Sequence, residues 1–209
     1  PVVFHPREPD LLYTPTHWDG RWHVLTNADS AVDFKVMVCE PAQTARAHWR
    51  EFLPHEPGRY ILDLDATKDF LVRAERVNAL PRIVFRHRGG EEHALAIDEE
   101  AFNLELAGGY EYDTAIQRYT YESPTTPTQW FDYDMGARTR TLRKTQEVPS
   151  GHDPSHYEVR RFFAPADRFA LSPHEVREIL RPMPTIELDP LIGLAGTAGH
   201  LRVSCYTLA

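Results

Sequence analysis

The feature that most constrains this chain is a group of short alternating strands that recurs three times at nearly equal spacing. Strand-like segments that follow turn residues begin near Phe34, Pro81 and Pro127, so the period is roughly 46 to 47 residues. This period lies within the range of β-propeller blades, which carry four strands each, and outside that of most helical repeats. The sequence therefore predicts an all-β fold with about three four-stranded propeller blades.

Within each repeat, apolar and polar residues alternate with the period of two that marks a pleated strand. The first repeat predicts strands at Arg21–Thr26, Phe34–Val38 and around Trp49–Leu53, with Ala42–Arg50 able to form a turn of helix before the last of these. The second predicts Tyr60–Asp65, Phe70–Val77, Arg82–Arg88 and Glu91–Ile97. The third predicts Phe102–Leu106, Ile116–Glu122, Gln129–Met135 and a weaker strand at Thr139–Lys144.

The character of the chain changes after Lys144, which we expect to end the blade array of residues 1–144. Residues 145–166 then form a proline-rich linker and a strand at Tyr157–Phe163. Ser172 and Glu175 are spaced as a capping box with Pro173 between them, which predicts a short helix that ends before Pro182. Residues 167–209 are otherwise expected to form an atypical, partly helical or irregular tail.

Charge and composition exclude several classes of function. The formal charge of -8, from 31 acidic and 23 basic residues, disfavours nucleic acid as a partner. No apolar run is long enough to cross a bilayer, so no membrane partner is expected. Cys39 and Cys205 form neither a disulfide framework nor a CxxC metal pair, which favours reduced thiols and a cytoplasmic location. Because the chain begins at Pro1 rather than Met, we expect a fragment of a longer protein, or a processed one.

The candidate metal motifs are incomplete. His152 and His156 have the i, i+4 spacing of helical zinc ligands, but Gly151 and Pro154 oppose a helix there, and no third ligand has a suitable spacing. The segments at Asp63–Thr67 and Asp132–Met135 are similar to the start of calcium loops without the required Gly and distal Glu. We therefore predict ordinary turn histidines and acidic strand residues.

Motifs for catalysis or nucleotide binding are also lacking. The sequence contains no G-x-S-x-G nucleophile elbow, and Gly193–Gly199 fits neither a P-loop nor a dinucleotide fingerprint. A group of aromatic residues at strand spacing is expected to pack between blades rather than bind a ligand. Its members are Tyr119, Tyr121, Trp130, Phe131 and Tyr133. We predict no catalytic, cofactor-binding or metal-binding residue in this chain.

Four segments carry a resemblance to a known family: VLTNADSAVDFKV, NALPRIVFRH, YTYESPTTPTQWFDYDM and TLRKTQEVPSGHDPSHYEVRRFFAPA. They resemble the oligopeptidase B branch of the prolyl oligopeptidase family of serine peptidases, from about Thr16 through Ala166. The resemblance implies a seven-bladed propeller that caps an α/β-hydrolase domain and admits short peptides but not folded proteins. It also implies cleavage of those peptides after Arg or Lys.

The part of the family that this chain resembles is limited to the last three blades and the strand that re-enters the hydrolase domain, Tyr157–Ala166. The family's catalytic Ser, Asp and His all lie downstream, so none can be assigned here. After Asp167 the resemblance stops. Either a frameshift or a fusion to another segment would explain this.

We therefore expect a propeller segment that is inactive alone and whose partners are the absent catalytic domain and an oligopeptide substrate. Two alternatives remain open. One is a stand-alone binding or scaffold module that self-associates through its open blade edges. The other is half of a split peptidase.

Overall fold

The computed structural model describes residues 3–109, 111–165, 195–197 and 200–208. Within these ranges the chain forms fifteen β-strands and two 3-10 helices, and it contains no α-helix. No helix in this part of the chain is long and apolar enough to span a membrane. The chain divides into two compact units. One contains Pro1–Ala96, Leu104–Tyr119 and Phe131–Thr141, and the other contains Ile97–Asn103, Thr120–Trp130 and Leu142–Ala209.

The first blade is a four-stranded sheet in the order β1-β2-β3-β4. Its strands are Tyr13–Trp18, Arg21–Thr26, Lys35–Cys39 and Arg50–Leu53. The sequence did not predict β1, because Pro15 interrupts its alternation. Pro15 is tolerated opposite Val24 since β1 lies at the edge of the sheet, where one row of backbone groups pairs with no strand of this sheet. The helical turn allowed before β4 is a 3-10 helix at Arg46–His48.

The second blade has the order β5-β6-β7-β8 and confirms the four predicted strands, with shifts at some ends. These strands are Arg59–Ala66, Phe70–Val77, Leu80–His87 and Glu92–Ala94. The β6–β7 hairpin pairs Val77 with Leu80, so only Asn78 and Ala79 form its loop.

The first two blades pack through the apolar residues on their facing sides. Leu25 and Val36 of the first blade form a buried cluster with Ile61 and Leu64 of the second. Val24 points to the opposite face of β2, because successive side chains on a strand alternate between faces. There it packs with Cys39 and Trp49, and the segment before β1 contributes Phe4 to this second cluster. The first blade is therefore covered on both faces.

The third sheet has the order β12-β11-β10-β9 and also agrees with the predicted blade. Its strands are Asn103–Leu106, Ile116–Ser123, Thr126–Asp134 and Thr139–Thr145 in chain order from β9 to β12. Three of the five aromatic residues predicted to be packing residues are buried, namely Tyr119, Phe131 and Tyr133. Tyr133 stacks on Phe85 of the second blade with ring centroids 4.8 Å apart. Tyr121 and Trp130 are half-buried.

The end of the chain differs from the predicted irregular tail. Strand β13, Tyr157–Pro165, pairs with β15, His200–Leu208, which also pairs with β14, Ala195–Thr197. The expectation of irregular structure is thus wrong for residues 195–197 and 200–208. The sequence carried a signal for β15, because Leu201, Val203 and Cys205 alternate with Arg202 and Ser204. The helix predicted from Ser172 lies outside the described residues.

Candidate functional site

A cavity of about 450 Å³ lies between the end of β5 and the connection from β9 to β10. Most of its lining residues are polar or charged. The walls are formed by Asp65, Ala66, Thr67, Gly108, Gly109, Glu111, Thr114, Ile116, Gln117, Arg118 and Asp132. All of these residues belong to the first compact unit. The cavity is therefore a feature of the blade region and not of the linker.

Local hydrogen bonds hold the two sides of this cavity together. The backbone N–H of Thr67 donates to the carbonyl of Phe70 at 2.9 Å, which closes the tight turn between β5 and β6. In the same turn, the N–H of Lys68 donates to the carbonyl of Tyr112 at 2.8 Å. The Lys68 ammonium also lies 2.8 Å from the Asp113 carboxylate. The turn of the second blade thus anchors the long connection that forms the other wall.

The charged groups of the cavity give it an excess of negative charge. Arg118 donates to both carboxylate oxygens of Asp132, at 2.7 and 3.0 Å. This pairing raises the pKa of Arg118 above its ordinary value. Asp65 and Glu111 add two more carboxylates to the walls, and Arg118 is the one basic residue among the described residues that line the cavity. A cavity with this balance favours a cationic group over an anionic one.

Strand β5 extends this acidic character along the sheet edge. Asp63 lies two residues before Asp65, and desolvation raises the pKa of its carboxyl group above the ordinary value. The hydrogen bond from Leu64 N–H opposes this increase, and the Asp65 charge adds to it. Each aspartate accepts a hydrogen bond at 2.8 Å from the backbone N–H of the next residue. The carboxylates therefore also occupy backbone donors at the edge of the blade.

The structure places the two histidines of the incomplete metal motif in different surroundings. His152 Nε2 donates to the carbonyl of Thr125 at 2.8 Å, whereas His156 Nε2 lies 3.6 Å from Asp153. The residues Pro154–His156 form a 3-10 helix, so the α-helical face that the spacing requires is not formed. Across the described ranges, no group of three or more His, Cys, Asp or Glu side chains is arranged to hold a metal ion.

The two other motifs considered in the sequence lie on strands where they are described. Asp63 and Asp65 are in β5, and Asp132 and Asp134 are in β11, as expected for acidic strand residues. Part of Gly193–Gly199 lies outside the described residues, and its central Ala195–Thr197 forms β14.

Sequence reasoning did not find the cavity, because its walls come from segments that are distant along the chain. The ion pair between Arg118 and Asp132 is the one part of the cavity that the sequence could have indicated. Opposite charges fourteen residues apart, each on a predicted neighbouring strand of one antiparallel blade, can lie side by side and form an ion pair. The contribution of Asp65 and Glu111 depends on how the second and third blades meet, which a pattern within one strand cannot reveal.

Comparison with known proteins finds a matching family and many solved structures with a similar fold. The family model for the prolyl oligopeptidase N-terminal beta-propeller domain matches residues 2–146. Dipeptidyl aminopeptidase BI from Pseudoxanthomonas mexicana is 34% identical over 165 residues, which cover 79% of this chain and 23% of that protein. Oligopeptidase B from Leishmania major has a TM-score of 0.70 at 27% identity, covering 78% of this chain and 24% of that one.

Oligopeptidase B from Trypanosoma brucei gives nearly the same result, with a TM-score of 0.70, 28% identity and coverage of 78% and 24%. This chain therefore spans about a quarter of the length of the relatives that it matches.

Proposed function

The chain belongs to the prolyl oligopeptidase N-terminal β-propeller family, and we propose that it is the gating segment of an oligopeptidase B-like serine peptidase. The observation that carries this proposal is the array of four-stranded blades within the residues that the family model matches. A propeller covering a catalytic domain restricts access by size, because a peptide must pass through or around a rigid array of packed sheets. The substrate class we propose is short peptides, with folded proteins excluded.

We propose cleavage after Arg or Lys as the activity of the complete peptidase. Two observations support it. Solved structures of oligopeptidase B are similar to this chain at 27% and 28% identity. The cavity beside β5 carries an excess of carboxylates, which would attract a basic peptide side chain and repel an acidic one.

In this proposal the chain supplies no catalytic residue. Residues 1–144 form the blade array, residues 145–166 lead back to the catalytic domain, and residues 167–209 are a divergent tail. The catalytic domain, of α/β-hydrolase type, is the partner that provides nucleophile, base and oxyanion hole. We further propose a cytoplasmic location, which the sparse cysteines support; Cys39 is buried and free.

A chimeric enzyme tests this function. Residues 1–144 would replace the matching blades of oligopeptidase B from Trypanosoma brucei, and the purified chimera would be assayed on a short Arg-containing fluorogenic peptide and on a folded protein. We expect hydrolysis of the peptide and none of the folded protein. Cleavage of the folded protein at a comparable rate would contradict the gating role.

Charge variants of the same chimera test the cavity. Asp65→Asn with Glu111→Gln should lower kcat/KM for the basic peptide by up to about 30-fold, because each of the two lost carboxylates removes on the order of 1 kcal/mol of attraction at close range in water. Glu40→Gln with Glu51→Gln is the matched control, since both residues are exposed in the first blade and neither lines the cavity. If the cavity variant and the control lower kcat/KM equally, the cavity does not contribute to the preference for basic peptides.

The isolated chain provides a second test. We expect no turnover of an Arg-terminated chromogenic peptide by the full 209-residue chain. Turnover that a serine-directed inhibitor abolishes would contradict the assignment of all catalytic groups to the partner domain.

Removal of dipeptides from free N-termini is a second candidate activity for the complete enzyme. It is favoured by the 34% identity to a dipeptidyl aminopeptidase, which is higher than the identity to the oligopeptidase B structures. The two activities differ in their products. A substrate with a blocked N-terminus is cleaved after its internal Arg in the first case and left intact in the second.

A further inference from the structure

His23 is a fully buried histidine in the first blade, with an exposed fraction of 0%. Within the part of the chain that the structure describes, neither of its ring nitrogens has a hydrogen-bond partner. The imidazole contacts Trp18 and Phe52 edge to face, with ring centroids 5.3 and 4.6 Å away. A neutral ring is accommodated as an aromatic packing residue, whereas a charged ring there would be cut off from water, and this burial outweighs the help that the Arg21 backbone and Asp19 give to the charged form.

Phe52 connects this histidine to the second blade. The guanidinium of Arg86, on β7, lies over the Phe52 ring at 5.1 Å from its centroid. Phe52 therefore contacts His23 within its own blade and Arg86 across the boundary. We call His23, Phe52 and Arg86 the seam group, because they join the first blade to the second beside the apolar cluster of Leu25 and Ile61.

The charged groups around His23 do little to stabilise a protonated imidazole ring. The charges of Arg21 on the same strand and of Arg86 from the second blade oppose protonation, whereas the backbone of Arg21 and the carboxylate of Asp19 in the preceding turn favour it. Asp19 is already paired with Arg88, at 2.8 Å. Arg86 lies 3.6 Å from Glu92, which offsets part of its charge.

We propose that His23 is an acid-sensitive latch between the first two blades. While neutral, it packs between Trp18 and Phe52 and keeps the seam group in place. When it takes a proton, the ring must reach water, and it can do so only if the contact of Phe52 with Arg86 separates. The latch thus couples acidification to opening of the seam without unfolding of the third blade.

The direction of the pH effect follows from the titration of this group. Desolvation, aided by the Arg21 charge, lowers the pKa of His23 from an ordinary 6.5 to about 4. The open state therefore binds a proton between these values while the closed state does not, so the stabilisation of the closed state by neutral His23 is fully present above pH 6.5 and is lost as the pH falls toward 4. The opening equilibrium is expected to rise about 30-fold between pH 7.5 and pH 5.

Hydrogen exchange on the full chain tests the latch. Wild type, His23→Phe and His48→Gln would be compared at pH 7.5 and 5.0 by mass spectrometry, as ratios of protection factors, so that the intrinsic pH dependence of exchange cancels. We expect wild type to lose about 30-fold more protection than His23→Phe in peptides from β2 and β7. Peptides from β10 and β11 should show no such difference. His48, which is exposed, should behave as wild type when it is replaced.

Two results would overturn the proposal. Equal loss of protection in all three blades would mean that acid unfolds the chain as a whole. An imidazole of His23 that titrates near pH 6.5 by NMR, with unchanged signals from β7, would mean that the ring is free to protonate in the closed state. The NMR titration uses wild type alone, so it decides the matter even if His23→Phe does not fold.

Discussion

Arg73 and Glu75 are charged residues that the second blade buries almost completely, with exposed fractions of 5% and 1%. They lie two residues apart on β6, so they share one face of the sheet. Arg73 Nε donates to Glu75 Oε2 at 2.6 Å, and a second guanidinium nitrogen lies 3.0 Å from Glu92. Arg82 approaches the other oxygen of Glu75 at 3.4 Å. The interior of this blade face therefore depends on a matched set of charges.

Replacing Arg73 with Met should destabilise the chain by about 3–5 kcal/mol, because it leaves the buried Glu75 carboxylate without its closest partner. Arg76→Met is the matched control, since Arg76 is exposed on the same strand and should change the stability by less than about 0.5 kcal/mol. Urea unfolding followed by tryptophan fluorescence measures both.

The double variant Arg73→Met with Glu75→Leu distinguishes a charge effect from a packing effect. Removing both charges leaves no isolated carboxylate, so most of the loss in the single variant should be recovered. A double variant as unstable as Arg73→Met would show that the arginine stem, rather than the ion pair, stabilises this face.

Sequence patterns predicted the strands that carry these residues but not their burial. Trp22 and Val24 alternate with His23 and Leu25, which predicts a strand but not that a polar residue such as His23 is enclosed, yet His23, Val24 and Leu25 are all buried. The reason is that a blade packs on both faces, so polar residues on the second face are enclosed by the neighbouring blade. Arg73, Glu75 and His23 are buried for this reason, which no pattern along one strand contains.

The β6–β7 hairpin shows how a whole element departs from ideal turn chemistry. Its two loop residues, Asn78 and Ala79, have φ values of 54° and 59°. Positive φ at both positions is the requirement of a type I′ turn, for which Asn-Gly is the preferred pair. Asn is suited to its position, whereas the Cβ of Ala79 makes the left-handed conformation unfavourable.

Ala79→Gly should therefore stabilise the chain, by about 0.5–1 kcal/mol. The same change at Ala74, in the middle of β6, should destabilise it by a similar or larger amount, because glycine in a strand interior loses entropy and packing. The opposite signs can be compared in one urea series. A loss of stability in Ala79→Gly would mean that its Cβ contributes contacts worth more than the strain.

In strand β5, side chains form hydrogen bonds with backbone groups at the edge of the sheet. Asp63 and Asp65 occupy the N–H groups of Leu64 and Ala66, and the carbonyl of Leu64 accepts from Thr16 Oγ1 at 3.3 Å. Since β5 is an edge strand of its sheet, such groups are the ones that another strand would otherwise pair with.

Removing both acceptors, with Asp63→Ala and Asp65→Ala, should increase association of the chain as measured by light scattering over a range of concentrations. Asp63→Asn with Asp65→Asn is the control, because it removes the same charges and keeps an oxygen acceptor for each N–H. If the two double variants associate to the same increased extent, then charge repulsion, rather than the occupied backbone donors, prevents this edge from pairing with another chain.

At the scale of elements, the predicted blade strands agree with the observed ones within about three residues at each end, whereas β1 and β15 were not predicted. Strand β6 was predicted with its observed bounds, Phe70–Val77. Strand β1 was missed because Pro15 lies inside it, although an edge position tolerates proline. Strand β15 was missed because it lies outside the blade repeat, where the period gave no support.

The blades of this chain correspond to about a quarter of the length of the relatives that it matches. It therefore matters, for the molecule as a whole, which faces of its sheets are covered. The outer face of the first blade is partly covered by the segment that precedes β1. Phe4 contacts Trp22 and Tyr13 there, with ring centroids 5.4 and 6.1 Å away. The Tyr13 hydroxyl donates to the carbonyl of His5, which fixes the segment to β1. Residues before β1 thus cover an apolar face that would otherwise contact solvent.

This arrangement bears on the expectation that a partial propeller associates with itself. If the segment before β1 shields the first blade, then Phe4→Ala should lower the free energy of unfolding by about 1–2 kcal/mol and increase association in light scattering, because it opens part of the apolar face around Val24 and Trp49. Val3→Ala is the matched control, since Val3 is the adjacent residue and is 70% exposed. Association that is already complete in wild type and unchanged by Phe4→Ala would instead place the contact surface elsewhere, at the edges of the blades.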